Sequence, residues 1–156
     1  MTRDQVLQRL AAAWQDFEAS YAGLTPAQLR TPGVRSCAGV TGQWSVRDII
    51  AHVTWWEEEA LKHLPRIRRG ERTPRYSVLY GGIDAFNAMM TEQRRGLSLA
   101  EVRRQHDEVH AKLVRCVRRS PNELFAREGP FRHRLRADTY GHYPIHARAI
   151  RAWRER

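Results

Sequence analysis

Three of the seven histidines, His52, His142 and His146, are the residues whose type and spacing could do chemistry. His142 and His146 stand four positions apart, so their side chains project from one face of a helix. A third imidazole from a neighbouring helix would complete a metal site that leaves coordination positions open for water or substrate, as catalytic sites require. Neutral imidazole binds zinc, nickel and ferrous iron, and the sequence does not choose among these divalent metals.

Pro144 lies between the paired histidines and restricts where their helix begins. Proline lacks the amide hydrogen that an interior helical turn needs, so it is tolerated only near a helix start. The sequence therefore predicts a start near residues 140–143, with His142 in or just before the first turn. The facing geometry of the pair is then expected to be only partly kept.

A second histidine pair with the same spacing, His106 and His110, lies in another amphipathic segment. His106 falls on the apolar stripe of that segment, between Val102 and Val109, but no third ligand obviously reaches the pair. We therefore interpret these two histidines as residues at the edge of the core and on the surface.

Apolar residues recur at helical spacing along nearly the whole chain, and capping patterns mark helix starts at Thr2, Thr25, Ser45 and Ser98. The predicted helices cover about 2–22, 45–65, 82–95, 98–120 and 138 to the C-terminus, with a short helical turn at 25–29. Residues 31–43 and 65–75 are predicted as loops, and 131–137 as a short extended piece. This pattern predicts an all-α four-helix bundle with short extra helical turns, as a single domain over 1–156.

The net charge of +10 suggests nucleic acid as a partner, although only Lys62 and Lys112 among the 27 basic residues are lysines. The arginines are spread over the chain, apart from a cluster at 66–75. A solvated basic face, or a rim that attracts an anionic ligand, is therefore the preferred interpretation. The sequence has no apolar run of membrane-spanning length and no signal-like N-terminus, so we expect a cytoplasmic protein without a membrane partner.

Several further residues are candidates for substrate contact, because bundle interiors hold ligand sites between facing helices. They are Trp55, Trp56, Glu59, Asn87 and Tyr143. Neither Cys37 nor Cys116 has a convincing histidine and acid partner, so a cysteine nucleophile is not expected. A reaction that needs a thiol would therefore take it from a low-molecular-weight cofactor.

The motifs carry a family resemblance over almost the whole chain. GVTGQWSVRDIIAHVTWWEEEAL resembles the second helix of the DinB/YfiT-like superfamily, where the histidine matching His52 is the first metal ligand. DTYGHYPIHARAIRAWRER is similar to the last helix, whose paired histidines, here His142 and His146, are the other two ligands. LTPAQLRTPGV matches the short turn before the second helix. IDAFNAMMTEQRRGLSLAEVRRQHDEVHAKLV and SPNELF look most like the DfsB/ClbS-type branch, in which the full triad is often missing.

The resemblance implies a bundle with an up-down-down-up helix order and a pocket near the three histidines. It implies a small-molecule substrate and a role in detoxification or self-resistance. One hypothesis is a metal-dependent hydrolase, or a bacillithiol- or mycothiol-type transferase, that acts on a small electrophile. A second, nearly level, is a metal-independent protein that binds or hydrolyses a genotoxin. Nucleic-acid binding ranks third, and a homodimer is compatible with any of them.

Overall fold

The computed structural model describes residues 1–36 and 44–156 of the chain. These residues form helices and no strand apart from an isolated antiparallel bridge between Val34 and Trp44. The helices are α1 (Arg3–Tyr21), α2 (Pro26–Leu29), α3 (Val46–Arg68), α4 (Tyr76–Leu79), α5 (Ile83–Arg94), α6 (Leu99–Arg119), α7 (Glu123–Ala126), α8 (Pro130–Asp138) and α9 (Tyr143–Arg154). The predicted all-α class is confirmed.

Four helices begin at the capping patterns that the sequence predicts. In each, the side-chain oxygen of the cap accepts a hydrogen bond from the third helical amide, and the side chain at that third position accepts one from the amide of the cap. Each of these reciprocal pairs satisfies backbone amides that a helix start leaves without a partner. The caps are Thr2, Thr25, Ser45 and Ser98.

Helices α3 and α6 lie side by side and run in the same direction. Arg47, at the start of α3, donates to the carbonyl oxygen of Leu97, just before α6. Glu57, further along α3, contacts His110, further along α6. The segment 69–98, which contains α4 and α5, connects these two parallel helices and runs back along the bundle.

Helix α1 runs opposite to α6, because Arg3 binds Asn122 beyond the end of α6, whereas Tyr21 contacts His106 further back. Helix α9 is parallel to α1: Tyr143 at its start packs against Trp14, and Arg154 at its end binds the carbonyl of Ser20. The bundle therefore has the up-down-down-up order that the resemblance implied.

Two boundaries near the C-terminus differ from the prediction. The piece predicted as extended is helix α8, because Phe131 and Leu135 are both buried at helical spacing and Pro130 occupies the first turn after Gly129. The predicted start of the last helix near Asp138 is also wrong, since Asp138 ends α8 and α9 begins five residues later.

Helix α3 also passes the position where its end was predicted. It continues through Pro65 to Arg68, and the amide of Arg69 still bonds to the carbonyl of Pro65. Proline removes a donor to the preceding turn but keeps its own acceptor, so the last turn can follow it. In the described part of the chain, no helix is long and apolar enough to cross a membrane.

Candidate metal centre

The bundle brings the three predicted histidines together. Ligand nitrogens of His52, His142 and His146 all lie within 4.8 Å of one another. The Nε2 atom of His142 is central, at 3.0 Å from Nε2 of His52 and 2.8 Å from Nε2 of His146. His52 and His146 are almost fully buried, at 1% and 0% exposure.

The backbone around Pro144 explains how the pair keeps its facing geometry. Helix α9 starts at Tyr143, with Pro144 in its first turn and His142 as the N-cap residue, as predicted from the proline. His142 nevertheless has helical dihedral angles, φ −91° and ψ −45°. Its side chain therefore stands one turn from His146, as it would inside a helix.

Ser36 orients one of the imidazoles. Its Oγ lies 2.5 Å from Nδ1 of His146. Two residues earlier, the amide of Val34 bonds to the carbonyl of Trp44, which fixes this segment beside the start of α3. When Ser36 accepts a hydrogen bond from Nδ1–H, the lone pair of His146 is on Nε2, the atom that would bind a metal.

Burial holds the three imidazoles in the form that binds metals. It lowers the pKa of His142 to about 4 and holds the pKa values of His52 and His146 well below their usual range. Neighbouring imidazoles add to the effect at His52 and His146, because a second positive charge nearby is unfavourable. Neutral imidazole is the ligating species.

The spacing of the nitrogens suits a small divalent ion. Nitrogen ligands at the usual distance from a tetrahedral zinc ion are about 3.3 Å apart. Two of the distances, 2.8 and 3.0 Å, are a few tenths of an ångström shorter than this value, and all three nitrogens lie within 4.8 Å of one another, so rotation of the rings can bring them around one ion. The donor set therefore fits zinc, and equally nickel or ferrous iron.

A cavity of about 280 Å³ adjoins the histidines. Its described lining consists of His52, Trp56, Ile83, Asp84, Asn87, Ala137, Asp138 and His142. Trp56 and Asn87 are thus placed at the cavity where the sequence predicted substrate contacts.

The amide of Asn87 has a defined orientation in this cavity. Its Oδ1 accepts from Nε1 of Trp56 at 3.1 Å and from Nε1 of Trp55 at 3.4 Å. Indole nitrogens only donate, so the oxygen must face them and the NH₂ group must lie on the other side. This NH₂ group is a donor for which the described residues offer no acceptor.

Three predicted substrate residues do not line the cavity. Trp55 is almost fully buried and packs edge-on against His52. Glu59 accepts a hydrogen bond from the hydroxyl of Tyr76 at 3.1 Å. Tyr143 is fully buried, and its hydroxyl group donates a hydrogen bond to Oε1 of Glu57. These contacts give all three a role in packing and in buried hydrogen bonds.

Asp138 is a cavity residue that the sequence reasoning missed. It is only 5% exposed, and its Oδ2 accepts from Nε of Arg134 at 2.5 Å. Burial raises the pKa of Asp138 to about 7, against the opposing effect of Arg134. Arg134 and Asp138 stand four residues apart, a spacing at which side chains on one helix can form an ion pair. The sequence did not predict this pair because the segment was predicted to be extended.

The second histidine pair belongs to a separate polar network. His106 is buried between Thr54 and Tyr21, at 3.2 and 3.4 Å, and burial lowers its pKa to about 3. His110 binds Glu57 at 3.0 Å and stacks on Trp14. Among the described residues, no group with metal-ligand geometry includes either histidine. His106 therefore lies deeper in the core than predicted.

The arginine cluster lies away from the histidine cavity. Arg68, Arg69 and Arg119 line a different cavity of about 440 Å³ at the C-terminal ends of α3 and α6. Cys116, a free thiol, lines the same cavity. Cys37 lies outside the described residues. None of the arginines at 66–75 is among the described lining residues of the histidine cavity.

A four-helix bundle with three converging histidines agrees with the comparison of the sequence with protein families. The model of the DinB superfamily matches residues 9–147. The chain belongs to the DinB superfamily. A comparison with curated proteins gave no significant match.

Solved structures of DinB-like proteins share the fold of this superfamily member at low sequence identity. The colibactin self-resistance protein ClbS, in complex with a double-stranded DNA, is 12% identical with a TM-score of 0.82, covering 99% of this chain and 96% of that one. The sibling lethal factor precursor DfsB is 14% identical with a TM-score of 0.77, at 99% and 96% coverage. An uncharacterised protein from Escherichia coli UTI89 is 13% identical with a TM-score of 0.80, at 99% and 93% coverage. The predicted DinB superfamily membership is confirmed, and ClbS and DfsB share the fold of this chain.

Proposed function

We propose that this DinB-superfamily protein binds a divalent metal through His52, His142 and His146 and detoxifies a small electrophile in the adjoining cavity. The observation that carries the proposal is the convergence of the three imidazole nitrogens at the wall of that cavity. Three buried nitrogen ligands beside an open space are the arrangement of a catalytic rather than a structural metal. The reaction class is hydrolysis or thiol transfer.

The metal, when bound, supplies a Lewis acid that polarises the substrate or activates the attacking group. The protein supplies position and polarity. Trp56 offers an indole ring against which a flat substrate can pack, and the NH₂ group of Asn87 can donate to a substrate acceptor. Asp138 can take up a proton, since its pKa of about 7 lies near neutral pH.

A thiol that takes part in the reaction would have to come from outside the chain's described residues. No cysteine occurs among the described residues of the cavity lining, and Cys116 lies at the other cavity. Burial also raises the pKa of the Cys116 thiol, which makes it a poorer nucleophile. We propose a low-molecular-weight thiol as the co-substrate of the transferase reaction.

The test is turnover of small electrophiles by metal-loaded protein. Protein loaded with zinc, nickel or ferrous iron is incubated with an epoxide, such as styrene oxide, and with an activated cyclopropane. Each reaction is run with and without bacillithiol or mycothiol, and products are identified by mass spectrometry. We expect product formation that requires metal and is lost in His142→Ala. Equal rates for the wild type and this variant would reject the metal-dependent reaction.

A metal-independent protection protein remains the alternative use of the same cavity. ClbS, a structural relative, is a colibactin self-resistance protein, and this supports a role in resistance for the present chain. In that case the histidines would form hydrogen bonds to the ligand at the wall of the cavity and would not bind a metal. Metal-free protein would then bind or hydrolyse the toxic compound as well as loaded protein does, which the same incubations would reveal.

Nucleic-acid binding is a further candidate function, supported by one observation on a structural relative and one on this chain. The related ClbS structure contains double-stranded DNA, and Arg68, Arg69 and Arg119 form a basic surface on this chain. Binding through such a surface weakens steeply with salt, because phosphate contacts release counterions. We expect Arg68→Glu with Arg119→Glu to abolish binding of a labelled duplex in fluorescence anisotropy, whereas Arg148→Glu on α9 leaves it. Salt-independent binding would argue against this function.

A further inference from the structure

The acidic side chains at the histidine cavity contrast with the basic composition of the chain. The chain has 27 basic and 17 acidic residues. Among its described residues, however, the cavity is lined by two carboxylates, Asp84 and Asp138, and by no arginine or lysine. Opposite charge favours a ligand and like charge disfavours it, so in metal-free protein this lining disfavours anions.

Asp138 presents an unoccupied edge within this lining. Arg134 occupies Oδ2 of its carboxylate, whereas no described residue hydrogen bonds to Oδ1. A carboxylate has about four lone-pair sites and is usually satisfied when it is buried. Asp138 is 5% exposed and lines the cavity, so Oδ1 is available to water or to a ligand held there.

Contacts behind Asp138 hold it in place. Nη2 of Arg134 donates to the hydroxyl of Tyr76 at 2.6 Å, and that hydroxyl donates to Oε1 of Glu59 at 3.1 Å. The guanidinium also lies over the ring of Tyr76, 5.5 Å from its centre. Arg134 is thus held from both sides and cannot swing into the cavity, so the open edge of Asp138 stays available to a ligand.

The rest of the lining is complementary to an apolar body with one acceptor. Trp56, Ile83 and Ala137 supply apolar surface, and an indole ring is also the best aromatic partner for a cation. The outward NH₂ group of Asn87 supplies a donor. The cavity therefore offers one anionic acceptor, one neutral donor and an aromatic wall.

We propose that this cavity takes a ligand with an ammonium or other cationic N–H group beside an apolar part, and that Asp138 receives this group. The inference rests on the proposed function, because it assigns the substrate class of the same site. It concerns the protein's own side chains, and it can be tested without metal or turnover. Burial raises the pKa of Asp138 to about 7, so its carboxylate is fully charged only above neutral pH, and a bound cation would stabilise the charged form.

The test compares three probes of nearly equal size on metal-free protein: benzylamine, benzyl alcohol and benzoate. Chelator removes metal beforehand, so that the amine cannot bind to it. Affinities are measured by calorimetry, and the indole N–H signal of Trp56 in NMR spectra reports binding in the cavity. We expect benzylamine to bind about tenfold tighter than benzyl alcohol, with benzoate weakest, as one charge-assisted hydrogen bond predicts.

Asp138→Asn should reduce the benzylamine affinity about tenfold and leave benzyl alcohol within about twofold. Asp84→Asn is the matched control, with a smaller effect expected because Asp84 is exposed and its charge is screened. If Asp138→Asn does not fold, the order of the affinities of the three probes for the wild type tests the proposal.

The proposal is overturned if benzoate or benzyl alcohol binds as tightly as benzylamine. It is also overturned if benzylamine shows no saturable binding up to about 10 mM, or if folded Asp138→Asn keeps the preference. A protein that binds no metal but shows this order would fail the proposed metal-dependent function and retain the inference. A metal-dependent enzyme that does not show this order of affinities would support the proposed function and overturn the inference.

Discussion

The Nε2 atoms of His52 and His142 lie 3.0 Å apart, although 90 residues separate them in the sequence. His52 comes from the second turn of α3, and His142 from the cap of α9. Their contact therefore depends on how α3 packs against the C-terminal helices and on the turn that leads into α9. Changes at these supporting positions should alter the site without removing a ligand.

Ser36→Ala should weaken metal binding about 10- to 100-fold, because Ser36 is the hydrogen-bond partner of Nδ1 of His146. The affinity for zinc, measured by competition with a chromophoric chelator, checks this. Ser77→Ala, on the exposed surface of α4, is the control and should leave the affinity unchanged. Equal affinities for both variants would show that Ser36 does not orient the imidazole.

Gly141→Ala should destabilise the turn that presents His142. A Cβ atom at position 141 would lie 2.8 Å from the carbonyl oxygen of Arg136, and backbone cannot move aside as a flexible side chain can. We expect a loss of about 1–3 kcal/mol in the free energy of unfolding of metal-free protein, from urea titrations, and weaker zinc binding. Gly129→Ala, whose Cβ would meet nothing within 4 Å, should change neither quantity appreciably.

Asn87→Leu should leave the indole N–H groups of Trp55 and Trp56 without their acceptor. A buried donor without a partner costs about 1–3 kcal/mol, so urea titrations should show a loss of stability of this size. In NMR spectra the indole N–H signals of these two residues should move upfield, while that of Trp153 stays in place. Unchanged signals would contradict the orientation assigned to the Asn87 amide.

His106→Gln should make stability less dependent on pH in the acid range. Burial lowers the pKa of His106 from its usual 6.5 to about 3, so its stabilising contribution is present above pH 6.5 and is lost as the pH falls toward 3. Within this window each such histidine contributes about 1.4 kcal/mol per pH unit. Urea titrations of metal-free protein at about pH 7, 6 and 5 should therefore show that the free energy of unfolding depends less on pH in the variant than in the wild type.

His133→Gln is the control for this experiment, because His133 is exposed and should leave the slope as in the wild type. A slope for His106→Gln equal to that of the wild type would mean that His106 is not held neutral by burial.

Local signals predicted the helix starts and the positions of the three histidines. Ser45 and Ser98 each precede an acidic residue at the third helical position, a short-range pattern that determines a cap without tertiary contacts. Pro144 likewise predicted the start of α9. The end of α3 was misplaced because the effect of Pro65 depends on where in the last turn it falls.

The environment of the cavity depends on contacts between distant segments, which no local pattern reveals. Asp138 looked like the start of a helix, yet it ends α8 and faces the cavity, with a tyrosine of α4 behind its arginine partner. Glu57 stands in an acidic run that is typical of a solvated surface, but it is fully buried against Tyr143 and His110. Only tertiary packing separates these roles.

The metal content of protein purified without a histidine tag or chelator shows whether the three histidines form a metal site. Elemental analysis compares the wild type with His52→Ala and with His133→Ala, an exposed histidine away from the site. We expect about one zinc, nickel or iron ion per chain in the wild type and in His133→Ala, and none in His52→Ala. A wild-type protein that holds no metal, and takes up none of these three ions when they are added, would contradict this expectation.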